Sequence, residues 1–183
     1  YDKQDLKYNF VIAATAEEEI SGLHGLEFVV PKLGELEFAI VGEPTQMHLA
    51  VAEKGLMVLE CKAPGKSGHA AREEGENAIY NAMKDIAWFQ SYQFPKQSEM
   101  FGPIKMSVTM INAGTQHNVV PSSCDFVVDV RITDAYTNQE VLDIIEANTI
   151  SEIHPRSTRL KPSCIDTKHP IVQAGLALGR TTY

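Results

Sequence analysis

The chain has 183 residues, of which 44% are hydrophobic and 22% charged, the range of a globular protein long enough to bury a core. A formal net charge of −8 argues against nucleic acid as a partner, because phosphate backbones select clustered Lys and Arg. No apolar run approaches the roughly 20 residues of a membrane helix, so a soluble protein with no membrane partner is expected.

Cys61, Cys124 and Cys164 are odd in number and widely spaced with no CxxC pair, so neither a disulfide framework nor a thiolate zinc site is indicated. They are expected to be reduced, which places the protein in the cytoplasm. The first residue is not Met and the sequence stops just after a helix-like segment; both ends read as cut, and missing targeting signals carry little weight.

In chain order, residues 9–14 form a short apolar run expected to be a buried strand, leading into Glu17, Glu18 and Glu19. Residues 23–30 predict a helix stopped by Pro31, and 36–41 a second buried strand ending at Glu43. From Gly55 the pattern changes to alternation, with Met57, Leu59 and Cys61 on one side. A helix follows, with Ile79, Ala82, Met83 and Ile86 at helical spacing. Strands are predicted over 104–112, with Met106, Val108 and Met110 on one face, and over 124–132, with Phe126, Val128 and Val130 on one face. Thr137 and Glu140 form a capping box opening a helix that carries Val141, Leu142 and Ile145. A last extended piece over 158–165 completes a βαββαβ order, that of a ferredoxin-like domain with two helices on one face of an antiparallel sheet. A final helix begins at Pro170 and ends near Gly179. The fold class is therefore α/β: a ferredoxin-like domain over 56–160, inserted between two parts of an α/β domain at 1–55 and 161–183.

Adjacent carboxylates at a strand end repel one another, and a cation removes that repulsion. A solvated helix N-terminus is the alternative for Glu17, Glu18 and Glu19. Glu43, at the end of the next predicted strand, can face the same crevice as Glu18 and Glu19, and oxygen ligands beside a free Glu suit a hydrolytic zinc site.

Thr15-Ala-Glu-Glu-Glu19 with Gly22, Val41-Gly-Glu-Pro-Thr45, Gly65-Lys-Ser-Gly-His-Ala-Ala71 and Asn118-Val-Val-Pro121 together resemble the co-catalytic zinc peptidase family of acetylornithine deacetylase, succinyl-diaminopimelate desuccinylase and glutamate carboxypeptidase. The resemblance implies a zinc-binding α/β domain with an inserted ferredoxin-like lid that dimerises, and amide hydrolysis of an N-acyl amino acid, with N-acetylornithine or N-succinylornithine favoured, a step of arginine biosynthesis. A dipeptidase or carboxypeptidase of the same family, and a non-catalytic dimerisation module, are the alternatives. It further implies two divalent metal ions, zinc with cobalt as the substitute. Glu18 becomes the general base that deprotonates a metal-bound water, Glu19 a ligand of one metal and Glu43 a ligand of the other. His69 resembles the histidine that reaches the partner subunit's site and stabilises the oxyanion; without the motif it would read as a loop histidine in water. Asn118 and Arg131 resemble residues that hold the substrate's carboxylate, although Arg131 could equally pair with Asp129 or Asp125. His117 stands beside Asn118 without a motif position of its own, and His24, His48, His154 and His169 are expected to be structural or surface residues. The family's upstream His and bridging Asp, and its later His, have no match here, so this piece alone is expected to be inactive.

Overall fold

The computed structural model describes residues 9–17, 22 and 24–183, so Glu18 and Glu19 lie outside the described residues. Two units are distinguished, residues 1–44 and 45–183.

In the first unit the expected strands do not form. No strand occurs at 9–14 or 36–41. Phe10, Val11 and Ile12 are 71%, 54% and 80% exposed, and Ile40 and Val41 are 76% and 71% exposed. An apolar run becomes a buried strand only where a neighbour takes up its backbone N–H and C=O groups, and no ladder reaches either run among the described residues. The expected helix is short, α1 (Leu26–Val29), and continues as a 3-10 turn over Val30–Lys32. Pro31 sits in the first turn of that 3-10 segment and so continues the coil where it was expected to stop it, since a missing N–H is harmless at a helix start.

The second unit is built on a four-stranded antiparallel sheet of β2 (Gly55–Pro64), β4 (Lys105–Ala113), β6 (Ser123–Ile132) and β7 (Glu152–Pro155), in the order β4-β6-β2-β7. With α2 (Ala78–Ser91) after β2 and α3 (Asn138–Asn148) after β6, the expected βαββαβ order is observed. Alternation decides which face is covered. Met57, Leu59, Cys61 and Ala63 of β2 and Cys124, Phe126, Val128, Val130 and Ile132 of β6 all point into one core. There they meet Ala78, Ala82 and Phe89 of α2 and Val141, Leu142 and Ile145 of α3. Burial, with the nearby Asp85 carboxylate as a second cause, pushes the Cys61 thiol up to about 12.

Three expectations within this unit are corrected. The fourth strand is Glu152–Pro155, pairing Cys61 with Ile153, and not 158–165. Within 158–165 only β8 (Ser163–Cys164) is a strand, and it pairs with β1 (Ala52–Glu53) in a separate ribbon. The face of α2 is rotated: Ala78, Asn81, Ala82, Asp85 and Phe89 are buried, while Met83 is 57% exposed. Two polar residues lie inward because each has partners there. The Asp85 carboxylate accepts from Ile150 N at 3.2 Å, from Ser151 N at 2.9 Å and from the Ser151 hydroxyl, tying α2 to the turn after α3. Asn81 Nδ2 donates to Pro64 O and to Glu76 Oε1, both at 2.9 Å. In β4 a bulge between Val108 and Met110 shifts the register, so Met110 is not in line with Met106 and Val108 and is 64% exposed.

The capping box at α3 is present. Glu140 N donates to Thr137 Oγ1 at 3.1 Å and Thr137 N donates to Glu140 Oε2 at 2.7 Å. The last helix, α4 (Pro170–Ala177), starts at Pro170 as expected, with His169 Nδ1 accepting from Ile171 N at 3.3 Å.

Candidate active site

The loop after β2 turns back on itself and lies beside the loop between β4 and β6. β3 (Gly68–His69) pairs antiparallel with β5 (Val119–Val120), setting His69 opposite Val119, and Ala70 N donates to Asn118 O at 3.0 Å. Lys66 and Glu76 close the base of the loop through two backbone hydrogen bonds of 2.8 and 2.9 Å. Close approach explains the glycines of this motif: a Cβ on Gly68 would lie 2.9 Å from Gly75 N, and one on Gly65 would lie 2.6 Å from Glu76 O.

His69 is exposed and held through three of its polar atoms. Its N–H donates to Glu74 Oε1 at 3.3 Å, its carbonyl accepts from Arg72 N at 2.8 Å, and its Nδ1 accepts from Ala71 N at 3.1 Å. Asn118 and His117 are exposed on the adjoining strand entry. A half-open cavity of about 170 Å³ adjoins the ladder, lined by Ser67, Thr115, Ser122 and Ser123 among others. The structure therefore brings the backbones of His69 and Asn118 close together, while the hydroxyl-lined cavity lies along β5 and is lined by neither.

Arg131 lies elsewhere. It sits at the far end of β6, eight residues beyond Ser123, which at about 3.3 Å per residue is roughly 26 Å from the His69 end of the sheet. Its guanidinium forks onto Asp129, Nε to Oδ1 at 2.8 Å and Nη2 to Oδ2 at 3.1 Å, the ion pair that the sequence left open as an alternative.

Glu43 belongs to the first unit, where it is exposed outside any helix or strand. Another member of the acidic motif, Glu17, has a left-handed backbone (φ 61°); its carbonyl accepts from Gly22 N at 3.0 Å and its carboxylate from His24 N at 3.0 Å. Among the described residues no three His, Cys, Asp or Glu side chains come together as a metal site. Glu18 and Glu19, the other carboxylates expected at a metal, lie outside the described residues, so Glu43 is the one expected ligand whose placement is seen.

Three of the other histidines make local contacts. His48 Nδ1 meets Thr181 Oγ1 at 2.8 Å, His154 faces Glu152 at 3.9 Å, and His169 caps α4. The sequence reading missed Asn77 and Asn81, which fasten the His69 loop to α2. Asn77 Oδ1 accepts from Ile79 N at 2.9 Å as the helix N-cap, and an Asn directly before an apolar helical run is the signal that could have found it.

The family description of the peptidase dimerisation domain matches residues 51–155, which contain the whole four-stranded sheet, both its helices and the His69 ladder. The chain is 30% identical over 150 residues to an acetylornithine deacetylase of Myxococcus xanthus, covering 78% of this chain and 40% of that protein. It is 27% identical over 148 residues to a succinyl-diaminopimelate desuccinylase of Paracoccus denitrificans, covering 75% and 39%. The chain thus spans about 40% of the length of these curated relatives. Among solved structures, a tripeptidase from Staphylococcus aureus superposes with a TM-score of 0.68 at 21% identity, covering 92% of this chain and 48% of that one, which is a likeness of fold. An aminopeptidase from Bacillus cereus does so at 0.67 and 19%, with the same coverage. With more than half its length matched, the chain belongs to the family of the peptidase dimerisation domain.

Proposed function

We propose that this chain works within a metal-dependent amidohydrolase that removes the acyl group from an N-acyl amino acid, N-acetylornithine or N-succinylornithine first, and that it does so as a homodimer. The observation that carries this reading is the placement of His69 in the exposed β3-β5 ladder with Asn118 beside it, while Arg131 stands at the other end of β6, roughly 26 Å along that strand from Ser123. A small acyl amino acid cannot touch both ends in one chain. Two copies can serve one substrate, the ladder of one and Arg131 of the other. His69 then supplies an N–H to the oxygen on which negative charge develops, Asn118 an amide, and Arg131 a carboxylate-binding fork if the substrate takes over from Asp129.

A surface suited to a second copy supports the dimer. β4 is an edge strand, and its exposed Met110 and Ile111 lie on the element that α2 packs against, while α2 exposes Tyr80 and Met83. Residues 1–55 and 161–183 are assigned to the catalytic α/β domain, with Glu18 as its base and Glu19 and Glu43 as ligands of two divalent ions. That assignment rests on their motifs alone. The cytoplasm is proposed from the free cysteines; no helix among the described residues is long and apolar enough to cross a membrane.

A substrate panel on the full-length protein tests the reading. Turnover of acylated ornithine is expected; cleavage of dipeptides with none of acylated ornithine would replace the first choice by a peptidase, and no turnover of either would leave a dimerisation module. Glu18→Gln is expected to keep its metal and lose about 10²–10⁴ in turnover. Metal content below about one ion per chain in the full-length protein would remove the two-metal assignment.

A further inference from the structure

We infer that the neutral imidazole of His69 carries its proton on Nε2, and that the backbone N–H of Ala71 sets this tautomer. The inference rests on the role proposed for His69 and adds to it the state in which that side chain is presented. The Ala71 N–H can only donate, and it points at His69 Nδ1 from 3.1 Å. Nδ1 must therefore offer its lone pair. A neutral imidazole carries one N–H, so the proton is on Nε2. Moving it to Nδ1 would set two N–H groups against each other and forfeit the hydrogen bond.

The neighbouring backbone groups are engaged elsewhere. The two groups that His69 uses on its own backbone are engaged by Glu74 and Arg72, and the next N–H, that of Ala70, is taken by Asn118 O at 3.0 Å. The Ala71 N–H is thus the one that remains for the ring. Gly68 and Gly75 approach closely, leaving no room for a Cβ on Gly68. His169 shows the same device elsewhere in the chain, its Nδ1 accepting from the N–H two residues on. His48 is the contrast: its Nδ1 meets a Thr181 hydroxyl, which can donate or accept and so selects no tautomer.

The consequence is chemical. With Nδ1 committed, the exposed end of the ring is an N–H, which serves an oxygen carrying negative charge and cannot take a proton from water. His69 is a donor in the proposed reaction, and the base must be sought elsewhere.

Long-range ¹H–¹⁵N correlation spectra of full-length protein labelled in histidine, assigned with His69→Ala, test the tautomer directly. A pyrrole-type Nε2 and a pyridine-type Nδ1 are expected for His69; the reverse pattern, or an even mixture, overturns the inference. Side-chain mimicry gives a second readout. Gln places its amide N–H near the position of Nε2, and Asn near that of Nδ1. His69→Asn and His69→Ala are expected to lose about 100-fold or more in turnover, the loss typical of a missing oxyanion donor, and His69→Gln clearly less. Asn outperforming Gln would overturn the inference. Full activity in His69→Ala would instead remove the role proposed for this residue, while the spectra would still decide the tautomer.

Discussion

Residues 9–41 and 55–132 contain the same kind of sequence and have different fates. Phe10, Val11 and Ile12 read as a strand no less than Met57 to Cys61 do, yet Ile12 is 80% exposed and Met57 fully buried. The difference is not propensity. β2 has β6 on one side and β7 on the other, and α2 over the face that carries Met57, Leu59 and Cys61. The run at 9–14 has no ladder among the described residues. A buried-strand sequence thus states a requirement for neighbours, which the second unit meets from its own length.

Substitutions can break this contrast. Phe126→Ala empties the centre of the core and is expected to lower unfolding free energy by about 4 kcal/mol in denaturant titrations, whereas Ile12→Ala and Ile40→Ala in the same chain should stay within about 0.5 kcal/mol. Comparable losses at Ile12 would show that the first unit is packed after all. Asp85→Ala leaves Ile150 N and the buried Ser151 without their acceptor, and a loss of about 3 kcal/mol is expected. A change near zero would mean that the second unit does not depend on this tie.

Smaller effects sharpen the picture within the second unit. Thr137→Ala removes the cap of α3 and should cost about 1 kcal/mol by the same titration. Glu140 has its carboxyl held below the usual range by the Thr137 N–H, then by the Thr137 hydroxyl. A pKa lower in the folded than in the unfolded state means that its contribution is complete above the unfolded value, about 4.3, and fades as pH falls through the folded one. The stability gap between the parent and Glu140→Gln should therefore close on acidification. Last, native protein at pH 8 should react with a thiol reagent at exposed Cys164 while buried Cys61 and Cys124 stay unmodified until denaturant is added. Early labelling of Cys61 would place it outside the core.

Sequence reading reached the ferredoxin-like order through local signals that tertiary structure did not contradict. The period of two in β2 and β6, the Thr137 and Glu140 capping box, and Pro170 at a helix start are each decided within a few residues. It failed where the deciding partner is distant. Glu152–Pro155 is short and polar, and becomes the fourth strand only because β2 offers it an edge. The inward turn of Asp85 required Ser151, 66 residues away.

The site divides in the same manner. The motif marked His69 and Asn118 from their neighbours in sequence, but it could not say that Ala71 binds one side of the ring, or that Arg131 would end at the opposite end of the sheet. By itself the sequence determined which segments alternate, where helices start and which candidate residues a site could draw on, because those properties depend on side-chain type and spacing. Only the tertiary structure decided which apolar runs are covered, which polar residues turn inward and which candidate groups can meet, because each of these depends on hydrogen-bond partners and packing surfaces far along the chain.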